Sequence, residues 1–396
     1  MAEFKFDILA REENSRARAG VIRTRHGYIE TPYLIPVATR GEIISLSPSD
    51  VEMLGVQCLL ANTYHLHLKC DSGKIREGGG LHQFMKFSKP LFTDSGGFQA
   101  FSLGLGRASN IRKIGFFPHE RNSFARGNDY AEVVEEGVKF KSVYNGTEHF
   151  IDAKKSMQIQ RDLGADIIMA FDECTSPFND KEYIRASMER SHRWEAESLK
   201  YHDKRQALYG IIHGGWFKDL RLESARFVTS LPFEGIAIGG SLGKTKEKMY
   251  EILDWLAPEI DNRPRHMLGI GWIDDVFECV ERGIDTFDCV EMTRIARHGN
   301  LYIGVNSGGS KGNKFRIDIA KAIHAEDNNP IDSTCDCFTC GSYSRMRLRE
   351  MFKKKSTEYA RLATIHNIHF MLSLMGDIRN SIKAGRFSEL KKKWGC

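Results

Sequence analysis

Residues 207–240 read ALYGIIHGGWFKDLRLESARFVTSLPFEGIAIGG, and this stretch decides the fold. An aliphatic and aromatic run, Ala207–His213, ends in two glycines. An amphipathic segment, Asp219–Ser230, follows, and a second apolar run, Gly235–Gly239, ends in another glycine pair. Strand, helix, strand over so short a span is a βαβ unit, and its two strands lie parallel. Working outward, strands are expected at Tyr33–Thr39, Cys58–Thr63, Leu91–Asp94, Asp166–Asp172, His266–Gly271 and Thr286–Asp288. Amphipathic segments fall at Lys181–Tyr201, Lys244–Leu256 and Ile273–Arg282. Eight strands alternating with helices predict an α/β protein of the closed (β/α)8, TIM-barrel type. An open doubly wound sheet is the competitor. It lacks the G-x-G-x-x-G turn after an early strand, since Gly78-Gly79-Gly80 sits in a loop.

Two stretches break the alternation. Gly137–Ile151 (GVKFKSVYNGTEHFI) reads as a hairpin turning at Asn145-Gly146 in a type I′ turn. The basic, weakly periodic Gly104–Tyr130 before it reads as a long loop insertion. The second break, Asn329–Ser342, is a cysteine-rich knot followed by helices to the end. The expected division is a barrel body over 1–310, with an N-terminal cap and the 104–151 insertion, and a metal-binding subdomain with C-terminal helices over 311–396.

The 396 residues are 41% hydrophobic and 10% aromatic, enough for a large core and too apolar for a disordered chain. No apolar run approaches the ~18–20 residues of a membrane span. The start, MAEFKFDILAREENSRARAG, is too charged for a signal peptide, so a cytoplasmic enzyme is expected. The formal charge of +5 hides an asymmetry: residues 311–396 hold 17 Lys and Arg against 9 Asp and Glu, whereas the rest is slightly acidic. One region of the chain is thus suited to a polyanion. Lys391–Lys393 reads as a solvated tail, and Arg345, Arg347 and Arg349 with Lys353–Lys355 as a phosphate-contacting face.

In a barrel of this type the chemistry lies where strands end. The residues there are Asp94, Asp172, His213, Gly239-Gly240, Gly269–Gly271 and Asp288. Carboxylates at the ends of different strands suit attack at a sugar carbon, one as nucleophile and one as acid/base. Cys174, beside Asp172, reads as a small buried residue near the pocket floor. The nine cysteines are an odd number, and Cys335, Cys337 and Cys340 form a C-x-C-x-x-C knot. Three thiolates this close call for a soft cation such as Zn2+, with His366 or His369 as fourth ligand, in a closed and therefore structural site.

The series Thr93-Asp94-Ser95-Gly96-Gly97-Phe98-Gln99 with Phe101-Ser102-Leu103, Phe171-Asp172-Glu173-Cys174, Gly239-Gly240, Gly283-Ile284-Asp285 with Phe287-Asp288-Cys289, Thr293-Arg294 through Arg297-His298-Gly299, the cysteine knot and His366-Asn367 resembles the tRNA-guanine transglycosylase (queuine tRNA-ribosyltransferase) family. The likeness runs from roughly residue 5 to residue 380 and looks like that of a divergent bacterial branch similar to the chlamydial type. It implies a barrel with an inserted zinc subdomain. The implied reaction exchanges guanine at the anticodon wobble position of GUN-anticodon tRNAs (Asp, Asn, His, Tyr) for a 7-deazaguanine base, queuine or preQ1. By the same resemblance Asp288 matches the nucleophile of a covalent RNA–enzyme intermediate and Asp94 the general acid/base. Ser95, Gly96, Gly97, Phe98, Asp172, His213, Gly239 and Gly240 match the base pocket. Gly269, Ile270, Gly271, Trp272, Ile273, Asp274 and Asp275, and Thr293, Arg294, Ile295, Ala296 and Arg297, match RNA-contacting segments. Cys335, Cys337, Cys340 and His366 match the ligands of one structural Zn2+ per chain, and a homodimer is implied. Many members carry Gln-Gly-Gly where this chain has His213-Gly214-Gly215. A non-catalytic partner subunit of the same fold would lack the nucleophile, which this chain keeps.

Overall fold

Each of the eight expected strands forms, and most are shorter than the apolar run that announced them. The computed structural model describes residues 4–98 and 131–396. Its barrel strands are β1 (Tyr33–Pro36), β2 (Leu59–Ala61), β3 (Leu91–Thr93), β4 (Ile167–Met169), β5 (Ala207–Ile212), β6 (Gly235–Ile238), β7 (Arg265–Met267) and β8 (Thr286–Cys289). Neighbours in sequence are neighbours in the parallel sheet, and β8 returns to β1 in register Thr286↔Tyr33 through Cys289↔Pro36. A bridge between Val37 and Leu60, with the Ala38 N–H donating to the Leu60 carbonyl at 2.7 Å, joins β1 to β2 and closes the ring.

Every barrel strand is buried on both faces, which is why the runs read as continuous rather than alternating. Tyr33 and Ile35, Ile167 and Met169, and Tyr209 and Ile211 fill the interior cluster, while Leu34, Ile168, Leu208 and Ile212 belong to the cluster under the helices. The N-terminal cap is a three-stranded antiparallel sheet, Lys5–Arg11, Arg18–Thr24 and Gly27–Thr31. Its Ile22 and Ile29 join the interior cluster and plug one end. Arg18 fixes this sheet to the barrel. Its Nε and Nη2 donate to the two Asp285 oxygens at 2.9 and 2.6 Å, and Asp285 also accepts from the Arg265 N–H at 2.7 Å.

The expected hairpin is present with Val138–Lys141 against Glu148–Ile151, but its turn differs. A type I′ turn needs positive φ at both central residues, and only Gly146 of the pair has it, at 75°. The connection is wider because Asn145 Oδ1 accepts from the Thr147 N–H and hydroxyl (3.2 and 2.8 Å), an Asx turn that outcompetes the tighter one. A third strand, Ala131–Val133, extends this sheet. The 104–130 insertion itself lies outside the described residues.

The long helix Thr357–Lys383 packs against β1, the N-terminal sheet and the helix Glu291–Arg297. In the terminal helix Phe387–Lys393, Lys392 and Lys393 are exposed as expected of a solvated tail, but Lys391 is not free. Lys391 is paired with Glu278 (2.9 Å) and Glu281 (2.8 Å), and Trp394 rests against Phe277, Phe315 and Phe370. Arg345 is likewise engaged, with Asp327 at 3.0 Å, and Arg349 donates to the Lys321 carbonyl at 3.0 Å. No described helix is long and apolar enough to cross a membrane.

Arg18 and Asp285 are both essentially inaccessible, so removing one partner strands a buried charge. Arg18→Ala is expected to destabilise the fold by about 3–5 kcal/mol, measured by urea unfolding.

Candidate active site and metal centre

The chain leaves the sheet at the carboxyl end of each strand, and the side chains singled out in the sequence gather at that rim. Asp94, one residue beyond β3, is held by the Thr63 N–H on Oδ1 at 2.8 Å and by the Asn62 amide on Oδ2. Ser95 is buried, and its hydroxyl donates to Asp172 Oδ1 at 2.9 Å, linking the ends of β3 and β4. Gly97 has to be glycine, because a Cβ there would lie 2.7 Å from the Asp172 carbonyl oxygen. Phe98 is exposed at the mouth.

Asp172 and His213 are both buried, and His213 Nε2 lies 3.2 Å from Asp172 Oδ2 without hydrogen-bond alignment. Ser241 Oγ, also buried, has no aligned partner among the described residues. Unsatisfied buried polar atoms are rare in finished cores, and these two remain open to a bond from a ligand or a water. Beneath them sits Arg221, fully buried. It donates to the carbonyls of Gly215 (2.7 Å), Ile212 (2.8 Å), Gly239 (3.0 Å) and Ser241 (2.9 Å). One guanidinium thus staples the loops that leave β5 and β6. Burial pulls its pKa down to about 9, which still leaves a cation at neutral pH. Burial, reinforced by the Asp172 charge, pushes Glu195 well above the usual carboxylate range and holds the Cys174 thiol protonated. Cys174 is therefore no nucleophile at neutral pH.

Asp288, in β8, is partly accessible. The Gly269 N–H donates to its Oδ1 at 3.0 Å, and His266 Nε2 lies 3.2 Å from the same atom. A carboxylate oxygen only accepts, so Nε2 carries the proton and His266 Nδ1 takes the Thr286 hydroxyl at 2.9 Å. The His266 ring is fully buried and stacked on Phe92 inside the barrel. Oδ1 is thus anchored, and Oδ2 has no hydrogen-bond partner among the described residues.

Sequence reasoning placed His266 in a strand and missed this role, as it missed Asn62, Thr63, Arg221 and Glu195. A signal existed for Glu195: Met188, Ser191, Glu195 and Ser198 recur at helical spacing on the buried face of Lys181–Tyr201. None existed for His266, whose partner is 22 residues away.

The two expected RNA segments divide by burial. Ile270, Ile273, Asp275, Thr293, Ile295 and Ala296 are buried, whereas Trp272, Asp274, Arg294 and Arg297 reach the surface. Asp274 and Asp275 pair with Lys246 (2.7 and 2.9 Å), and Arg294 pairs with Glu291.

The knot forms a closed cluster of Cys335, Cys337, Cys340 and His366. His366 Nδ1 lies 3.7, 3.5 and 3.3 Å from the three sulfurs. Tetrahedral Zn2+, with Zn–S about 2.3 Å and Zn–N about 2.0 Å, sets sulfur and nitrogen about 3.5 Å apart. His366 Nε2 donates to the Tyr302 carbonyl at 2.8 Å, which leaves Nδ1 unprotonated and facing the thiols, as a ligand must be. His369 approaches only Cys335 (3.7 Å) and turns its other nitrogen to Asp336 (3.3 Å). The donor set therefore fits a metal ion such as zinc, with His366 as the fourth ligand.

A (β/α)8 barrel with carboxylates at its strand ends and a Cys3His cluster that could hold a metal ion defines a class of barrel enzyme. The family model described as queuine tRNA-ribosyltransferase matches residues 13–395, and the chain belongs to that family. It is 49% identical over 388 residues to a putative queuine tRNA-ribosyltransferase of Archaeoglobus fulgidus, covering 96% of each chain. It is 43% identical to queuine tRNA-ribosyltransferases of Roseiflexus sp. strain RS-1 (98% of each chain) and of Halothermothrix orenii (98% of this chain, 96% of the relative).

Metal analysis of the purified protein should give about one zinc per chain. Cys337→Ser should lose the metal and unfold at lower temperature, whereas His369→Ala should keep both. His266→Phe keeps the stacked volume and removes a donor to Asp288 Oδ1. It should lower kcat by about 10–100-fold, a loss of one hydrogen bond to a charged group, with KM little changed.

Proposed function

We propose that this chain replaces guanine at the anticodon wobble position of GUN tRNAs with a 7-deazaguanine base, with Asp288 as covalent nucleophile. The observation that carries this reading is the asymmetry of Asp288: Oδ1 is held by a backbone amide and a buried imidazole, and Oδ2 is left to react. Oδ2 attacks ribose C1′ as the glycosidic bond to guanine breaks. The departing base takes a proton from Asp94, and the Asp288–ribose ester forms. The incoming base then gives a proton back to Asp94 and displaces Asp288. Two inversions give net retention. Asp94 suits this exchange because an amide N–H and a side-chain amide position its carboxylate at the strand end.

The base enters beside Asp172, Ser95, His213 and the Gly239-Gly240 backbone, where His213 Nε2 and Ser241 Oγ have bonds to give. The incoming base is queuine or preQ1, and queuine is the preferred reading. A base held in an RNA stack has to be splayed out to reach it, so recognition acts on an unpaired loop. Zinc on Cys335, Cys337, Cys340 and His366 supplies no chemistry to the exchange and fixes the knot. A cytoplasmic homodimer is proposed from the same family likeness.

Wild-type protein should incorporate labelled guanine into a GUN anticodon hairpin and give a covalent protein–RNA band on a denaturing gel. Asp288→Asn should abolish the band and lower exchange on the order of 10⁴-fold, and Asp94→Asn should lower it by about 10²–10⁴. Absence of exchange by the wild type, or exchange by Asp288→Asn at the wild-type rate, sinks the proposal.

A further inference from the structure

Beside the rim lies an open cleft of about 190 Å³, lined by Trp272, Tyr302, Lys311, Lys314, Phe315 and Arg316 among others. It is smaller than the ~300–1,000 Å³ pockets that enclose a whole small ligand, and its size suits one flat ring presented from an open strand. We infer that this cleft is a subsite for one nucleotide flanking the exchanged one, its base stacked on Trp272 and its phosphate held by Lys311 and Lys314. The inference rests on the proposed RNA substrate and adds a binding element, the Lys311–Arg316 turn, to that reading.

Position comes first. Trp272 is three residues from Gly269, whose N–H holds Asp288, so its backbone lies within about 11 Å of the nucleophile's anchor. A nucleotide next to the one attacked at C1′ has to lie within such a distance. Chemistry comes second. Trp272 is 37% exposed, although an indole is usually buried. Lys246 and Lys314 stand over the ring at 4.5 and 4.8 Å from its centroid.

Lys246 is tied to Asp274 and Asp275, whereas Lys314 and Lys311 have no carboxylate partner among the described residues. A stacked base contributes more than a lysine over an exposed ring, so an arriving base takes the indole and Lys314 moves to its phosphate. Backbone strain is the third observation. Lys314 and Phe315 both have left-handed φ, 56° and 53°, which non-glycine residues rarely adopt in succession. This strained turn buries Phe315 and aims Lys314 over the indole.

The test uses the full-length protein and anticodon stem-loop RNAs, intact or with one abasic nucleotide on either side of the exchanged position. Trp272→Ala should raise KM and Kd for the intact hairpin about tenfold with kcat unchanged, and Trp272→Phe should keep most of the affinity. One of the two abasic hairpins should bind wild type as weakly as the intact hairpin binds Trp272→Ala, and Trp272→Ala should lose nothing more on that hairpin. Lys311→Ala and Lys314→Ala should each lower the salt slope of binding by about one. The inference is overturned if Trp272→Ala discriminates against the abasic hairpins as the wild type does, or if both lysine variants leave the slope unchanged. Guanine exchange by the wild type is scored separately. Its presence with no Trp272 coupling removes the subsite and keeps the function; its absence with the coupling intact does the reverse.

Discussion

Closure of the eight parallel strands is the constraint from which the site follows. Once β8 pairs with β1 in register and Val37 bridges Leu60, all eight carboxyl ends share one rim. Asp94, Asp172, His213 and Asp288 then converge although up to 194 residues separate them. The barrel also decides what surrounds them. Its interior is packed with Phe92, Tyr209, Met169 and the stacked His266, whose two ring nitrogens meet Thr286 and Asp288 rather than water.

That dry interior sets the electrostatics. Asp288 is accessible on one side and hydrogen-bonded on the other, which keeps it oriented. Glu195, a few elements away, is also a carboxyl but is buried with one amide donor, from Ile211 at 3.2 Å, and it is driven to its neutral form. The two acids thus sit in different surroundings, one reached by solvent and two donors and the other by a single amide. Arg221 shows the complementary solution, a buried cation held by four carbonyls instead of a carboxylate, so that it carries loop geometry without neutralising Asp172.

The cysteine knot reaches the rim through one residue. His366 donates to the Tyr302 carbonyl, and the neighbouring Asn367 accepts from the Tyr302 N–H at 3.0 Å and donates to the carbonyls of Met292 and Asn300. Tyr302 lines the Trp272 cleft, and Met292 lies in the helix that follows Asp288. A metal on the four ligands would therefore hold the wall of the cleft and the helix that follows Asp288 without touching either.

Much of this was legible in the chain. Strand count, parallel order, the strand-end carboxylates and the knot all come from local patterns, because apolar runs, glycine pairs and C-x-C-x-x-C spacing act over a few residues. The wide turn at Asn145 was misread because side-chain capping of the turn competes with the dipeptide preference. Lys391 was misread because its partners, Glu278 and Glu281, are more than a hundred residues away. The sequence by itself determined which polar residues stand at the strand ends and in what order of strands they come. Only the tertiary structure decided which oxygen of Asp288 is anchored and which side chains of Gly269–Asp275 and Thr293–Arg297 reach solvent. Those outcomes depend on contacts across the closed barrel, between residues that no local pattern connects.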